Sequence, residues 1–139
     1  MSDLKRQFSL RGFLFSIALT IYIGAVGYLC FANFNKLPDV QKFILGIPTD
    51  KIVHFVMFFP FPILAFLAYD RITDTVWKAI GAVLIIASIG CIFAGLTEIV
   101  QGSLPYRSQD TSDFAADCIS IVLSSAMVLA VDILTLKKK

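Results

Sequence analysis

Four long apolar runs constrain this chain more than any motif in it. Gly12 to Phe34 passes without a charge, and Ile52 to Tyr69 is interrupted only by His54, Pro60 and Pro62. A third run stays uncharged from Ala79 to Thr97, where Glu98 stops it, and a fourth, Phe114 to Leu136, carries only Asp117 and Asp132. A helix crossing a bilayer needs about 20 apolar residues at roughly 1.5 Å each, and every run is near that length. In hydrocarbon, backbone polar groups must be satisfied within the segment, so runs of this kind are helical. The pattern predicts an all-α membrane protein, a compact bundle of four transmembrane helices. The spans are about 12–34, 52–69, 79–100 and 114–136, within one domain over residues 1–139.

Composition excludes the alternatives. The chain is 58% hydrophobic and 16% charged, whereas a soluble domain carries about 25% charge to cover its surface. A net charge of +2 without a dense basic patch excludes a nucleic-acid partner. The first run is too long for a signal-peptide core of about 7–15 residues and no small-residue cleavage site follows it, so an uncleaved helix is expected. Cys30, Cys91 and Cys118 lie inside apolar runs at spacings that match no zinc or redox motif, and read as buried free thiols. The loop Val40–Ile47 is mildly amphipathic and suits the headgroup region.

Basic residues give an orientation. Lys5, Arg6, Arg11, Arg71, Lys78 and Lys137 to Lys139 fall on one side of four spans, and Lys36, Lys42, Lys51 and Arg107 on the other. The richer side is cytoplasmic, which predicts a multi-pass protein of the inner (cytoplasmic) membrane with both termini in the cytoplasm. Membrane lipids are then its immediate partners.

The remaining polar residues gather in three places. Asp50, Lys51 and His54 open the second span, Glu98 and Gln101 close the third, and Arg107, Asp110, Asp113 and Asp117 lead into the fourth. Ionisable groups within a membrane cost about 2.5–3.5 kcal/mol each at the centre, so this placement is informative. All three places fall at the outer end in the orientation above. Asp50 and His54 are four apart; Gly90, Ala94, Glu98 and Gln101 share a helix face, as do Asp110, Asp113, Asp117, Ser120 and Ser124. Small and polar stripes on membrane helices face their neighbours, so the three should meet in a polar pocket. Plainer roles stand beside this one. Asp50 and Asp110 have the positions of helix caps, Lys51 has the reach to snorkel to headgroups, and His54 has Glu98 or Asp117 as structural partners. Asp132 reads as an interfacial residue answered by Lys137.

At these residues the chain resembles a known family. Asp50-Lys51-x-x-His54 at the start of a span, Glu98-x-x-Gln101, Pro105-x-Arg107, Asp110 and Asp113-x-x-x-Asp117 look like the VanZ-like family of small bacterial membrane proteins, over roughly Asp50 to Ser120. Two positions depart from the family pattern: Asp117 stands where Asn is usual, and Ser120 where Gly is frequent. The resemblance implies a link to low-level resistance to teicoplanin, a glycopeptide acting on the cell wall, and supplies no reaction.

Two functions follow as expectations. In the first, the pocket binds or modulates a cell-envelope component, a lipid-linked or glycopeptide ligand at the outer face. Lys51 and Arg107 would attract an anionic group such as a lipid phosphate, while Asp50, Gln101 and Asp110 bind the polar remainder. In the second, the protein is a membrane-embedded hydrolase or transferase acting on a lipid-linked or cell-wall substrate, with His54, Glu98, Asp113 and Asp117 as acid–base groups. The same four residues have the chemistry to hold a divalent ion. No HExxH or paired CxxC spacing supports zinc, so neither metal nor cofactor is assigned.

Overall fold

A computed structural model describes residues 10–33, 43–69 and 75–137. Of the orientation residues, Lys5, Arg6, Lys36, Lys42, Arg71, Lys138 and Lys139 lie outside these, as does the first part of Val40–Ile47. The helices are α1 (Leu10–Phe31), α2 (Thr49–Phe58), α3 (Pro60–Tyr69), α4 (Val76–Gly102) and α5 (Thr111–Leu136). With α2 and α3 taken as one span, four helices are long and apolar enough to cross a membrane. Helices α4 and α5 both begin earlier than their apolar runs, each starting from a capping side chain just upstream. Thr75 caps α4 by accepting from the Lys78 amide, and Asp110 caps α5 by accepting from the Ser112 amide.

The second span is broken at Phe59, where Pro60 lacks the N–H that would continue the ladder. Nearby carbonyls take partners from other helices. Phe55 O accepts from the Phe59 amide and from Ser120 Oγ at 2.6 Å, and Met57 O accepts from the Tyr22 hydroxyl. Side chains of neighbouring helices thus support the backbone on the N-terminal side of the break.

One element departs from an all-helical reading. Strands β1 (Phe43–Ile44) and β2 (Ile47–Pro48) pair antiparallel around Leu45 and Gly46. Both turn residues have positive φ, 53° and 79°, the geometry of a tight hairpin turn. Leu45 is 98% exposed at its tip, an apolar point suited to a headgroup layer.

The interior inverts the soluble pattern. Val26, Cys30, Phe58, Ala94 and Ile121 form a small buried apolar cluster, with the Phe93 ring 5.6 Å from Phe58 and 6.1 Å from Phe61. Around it are buried His54, Thr97, Glu98, Gln101, Asp113, Asp117, Ser120, Ser124 and Ser125, while Ile85, Ile92, Leu96, Val122 and Leu134 point outward. Polar residues inside and apolar residues outside suit a bilayer. Gly90 permits the closest approach. A Cβ there would lie 2.9 Å from Phe61 Cδ1 and 3.3 Å from Ile121 Cδ1.

The four spans run alternately up and down. Hydrogen bonds from Gln101 to Cys30 and from Lys51 to Asp110 gather one end of each span: the C-termini of α1 and α4 and the N-termini of α2 and α5. The polar residues lie at this end.

Candidate functional site, a polar cavity at one end of the bundle

A cavity of about 230 Å³ opens here, walled by Asp50 and His54 of α2, Gln101 of α4, Asp113 of α5, and Tyr106, Arg107, Ser108 and Asp110 of the α4–α5 connection. A larger cavity of about 450 Å³ between α1, α3 and α4 is lined by apolar and aromatic chains such as Leu19, Phe61 and Ile86. It is the polar cavity that holds groups able to do chemistry.

His54 is its centre. The ring is buried, and Nδ1 lies 3.1 and 3.2 Å from the two carboxylate oxygens of Asp117. A neutral ring donating from Nδ1 carries its lone pair on Nε2. That nitrogen is 3.8 Å from Asp113 Oδ2, beyond hydrogen-bond distance. Asp113 meanwhile turns Oδ1 toward Lys51, whose Nζ also reaches Asp110, at 2.9 and 3.0 Å. Lys51 therefore bridges two carboxylates at the start of α5 rather than snorkelling away.

Asp110 carries several bonds at once. Its Oδ1 accepts from the Ser112 amide and hydroxyl, and these bonds, followed by Lys51, hold its carboxyl down at about pKa 2. Its own amide donates to Glu98 Oε1, which pins the α4–α5 connection to the end of α4. The second Glu98 oxygen, Oε2, is buried without a hydrogen-bond partner among the described residues.

The end of α4 and the connection also close α1. The last carbonyls of a helix have no partner inside it, and α1 has no basic residue in its own last turn. Gln101 Nε2 donates to Cys30 O at 3.1 Å, the Tyr106 hydroxyl to Phe31 O at 3.0 Å, and Arg107 Nη2 to Leu29 O at 2.9 Å. Arg107 thus places a cation at the negative end of the α1 dipole.

The nine candidate residues converge, with different placements. Asp50, His54, Gln101, Arg107, Asp110 and Asp113 line the cavity. Lys51 is joined to Asp110 and Asp113, Asp117 to His54, and Glu98 to the Asp110 amide. Asp50 does not cap α2: the cap position is Pro48, without a side-chain bond, and Asp50 sits inside the first turn. The chain bends into α2 straight from the hairpin, which moves the helix start two residues earlier. Tyr106 and Ser108 also line the cavity although neither ionisation nor helical phase singled them out. Their positions on either side of Arg107 are the one signal the sequence carries.

Comparison of the chain with models of protein families, with curated proteins and with solved structures finds no match. Function is therefore argued from the cavity. A buried imidazole oriented by one carboxylate and facing others can accept a proton, donate one or bind a cation.

Proposed function

We propose that this chain is a VanZ-like integral membrane protein of the cytoplasmic membrane, with both termini inside and the polar cavity opening outward to bind a cell-envelope component. The observation that carries this reading is a polar cavity of about 230 Å³ at one end of a bundle whose outer surface is apolar. The order of Asp50, Lys51, His54, Glu98, Gln101, Arg107, Asp110 and Asp113 along the chain supports the family, and the basic bias supports the orientation.

The geometry changes the preferred ligand chemistry. The charge of Lys51 is answered by Asp110 and Asp113, and Arg107 directs Nη2 to α1 carbonyls. Asp50, Asp113, Gln101, Tyr106 and Ser108 face the cavity with an excess of acceptors. That lining favours the amine and hydroxyl groups of an aminosugar or peptide moiety over a bare phosphate. The test is retention of envelope components by the purified protein, read by mass spectrometry. One species should be retained by the wild type and lost in folded Asp50→Ala and Gln101→Ala variants. Equal retention by both variants would overturn the reading. A linked teicoplanin phenotype should follow the same variants.

The Asp117–His54 pair favours a second reading, a membrane-embedded hydrolase or transferase with His54 as general base. Chemical change in the same lipids during incubation, absent in His54→Gln, distinguishes it from binding.

A further inference from the structure

Within the cavity, three donor atoms stand close enough to share one ion. Asp50 and His54 leave successive turns of α2, Asp113 leaves the first turn of α5, and one ligand atom from each lies within 4.8 Å of the others. Carboxylates at helix starts gather for many reasons, so the weight rests on His54. Its side chain is 5% exposed and lines the cavity, and Nε2 is the ring nitrogen that the bond to Asp117 leaves over. Asp113 Oδ2 faces it at 3.8 Å, an ion pair if the ring is protonated but too long for a hydrogen bond. His54 and the carboxylates of Asp50 and Asp113 thus bring three ligand atoms within 4.8 Å of one another at the cavity, a spacing that one bound cation would bridge.

We propose that Asp50, His54 and Asp113 bind a single divalent transition-metal ion, Zn²⁺ or Mn²⁺, with water completing its coordination. Imidazole in the donor set favours these ions over Mg²⁺ or Ca²⁺, which take oxygen ligands. Metal bonds of about 2.0–2.2 Å place neighbouring ligand atoms about 3.3–3.5 Å apart in a tetrahedron. The Nε2 to Oδ2 separation of 3.8 Å needs to close by a few tenths of an ångström, and the other pairs, within 4.8 Å, by up to about 1.3 Å. Two carboxylates and a neutral imidazole balance the ion's charge. Asp117 supplies the partner that metal-bound histidines usually have, a carboxylate accepting from the other ring nitrogen and fixing the tautomer. Asp113 divides its oxygens, Oδ1 to Lys51 and Oδ2 to the ion. This site stands on the cluster's own geometry, whatever the cavity's organic ligand.

The full chain, purified in detergent and stripped with a chelator, is titrated with Zn²⁺ and Mn²⁺ by calorimetry, and metal content after dialysis is read by plasma mass spectrometry. One ion per chain is expected, and Co²⁺ substitution should give visible absorption bands of an N/O site. Folded His54→Gln and Asp113→Asn should weaken binding by roughly 100-fold and Asp117→Asn by about 10–100-fold, while Asp132→Asn near the opposite end of α5 leaves it unchanged. Should the buried variants fail to fold, Asp50→Asn at the exposed first turn of α2 must still weaken binding. Undiminished binding in a folded Asp50→Asn or His54→Gln protein, or no saturable binding by the wild type below about 100 µM, would overturn the proposal.

Discussion

His54 of α2 places Nδ1 3.1 Å from a carboxylate oxygen of Asp117 on α5, a residue with no exposed surface. A buried carboxylate without a partner is strongly disfavoured, so each group justifies the other's burial, and the pair joins two helices at the floor of the cavity.

Replacing Asp117 tests that join. Asp117→Ala leaves the imidazole donor unpaired in a buried site and should lower stability by about 1–3 kcal/mol. Asp117→Asn keeps an oxygen acceptor and should lower it less. Thermal unfolding in detergent ranks the two. A reversed order would show that the charge of Asp117, not its acceptor, secures His54.

Gly90 is a packing test away from the cavity. An alanine Cβ would meet Phe61 Cδ1 at 2.9 Å, so Gly90→Ala should cost about 1–3 kcal/mol by overpacking. Gly81→Ala, with nothing within 4 Å of the new carbon, is the matched control and should leave the unfolding temperature unchanged or slightly raised.

Arg107 is expected to act on α1. Its guanidinium donates to Leu29 O, and Arg107→Ala should lower stability by about 1 kcal/mol and speed hydrogen exchange in the last turn of α1. Arg107→Lys, with a point charge in place of a planar fork, should recover part of this. Accelerated exchange confined to α5 would refute the capping role.

Asp110 gives a pH dependence with a definite sign. Its folded pKa of about 2 lies below the ordinary 3.8, so its ionised form stabilises the fold above pH 3.8 and loses that effect as pH falls toward 2. Asp110→Asn keeps the helix cap and loses the charge facing Lys51. The variant should therefore be less stable than wild type at pH 7, with the difference shrinking between about pH 4 and 2. A difference independent of pH would assign the effect to the cap alone.

The four apolar helices and the inward stripes were legible in the sequence. Hydropathy and helical phase are local properties, and lipid leaves a long apolar run one satisfactory backbone conformation. Gly90, Ala94, Glu98 and Gln101 are accordingly all buried on α4, and Asp113, Asp117, Ser120 and Ser124 on α5. The hairpin at Phe43–Pro48 was not legible, because its pairing depends on two residues with positive φ in an otherwise unremarkable loop. Nor were the partners. Lys51 had the reach for headgroups and instead bridges Asp110 and Asp113. Asp50 had the position of a cap and lies inside the first turn of α2. Arg107 and Gln101 line the cavity and also donate to the end of α1, which their spacing did not announce. These choices depend on how the helices are rotated and staggered against one another. That arrangement is set by contacts such as Phe61 against Gly90 and Ser120 against Phe55, which join residues distant in the chain. Sequence determined which residues turn inward, since that is a matter of solvent and period; tertiary packing decided which of them meet, since that is a matter of distances between helices.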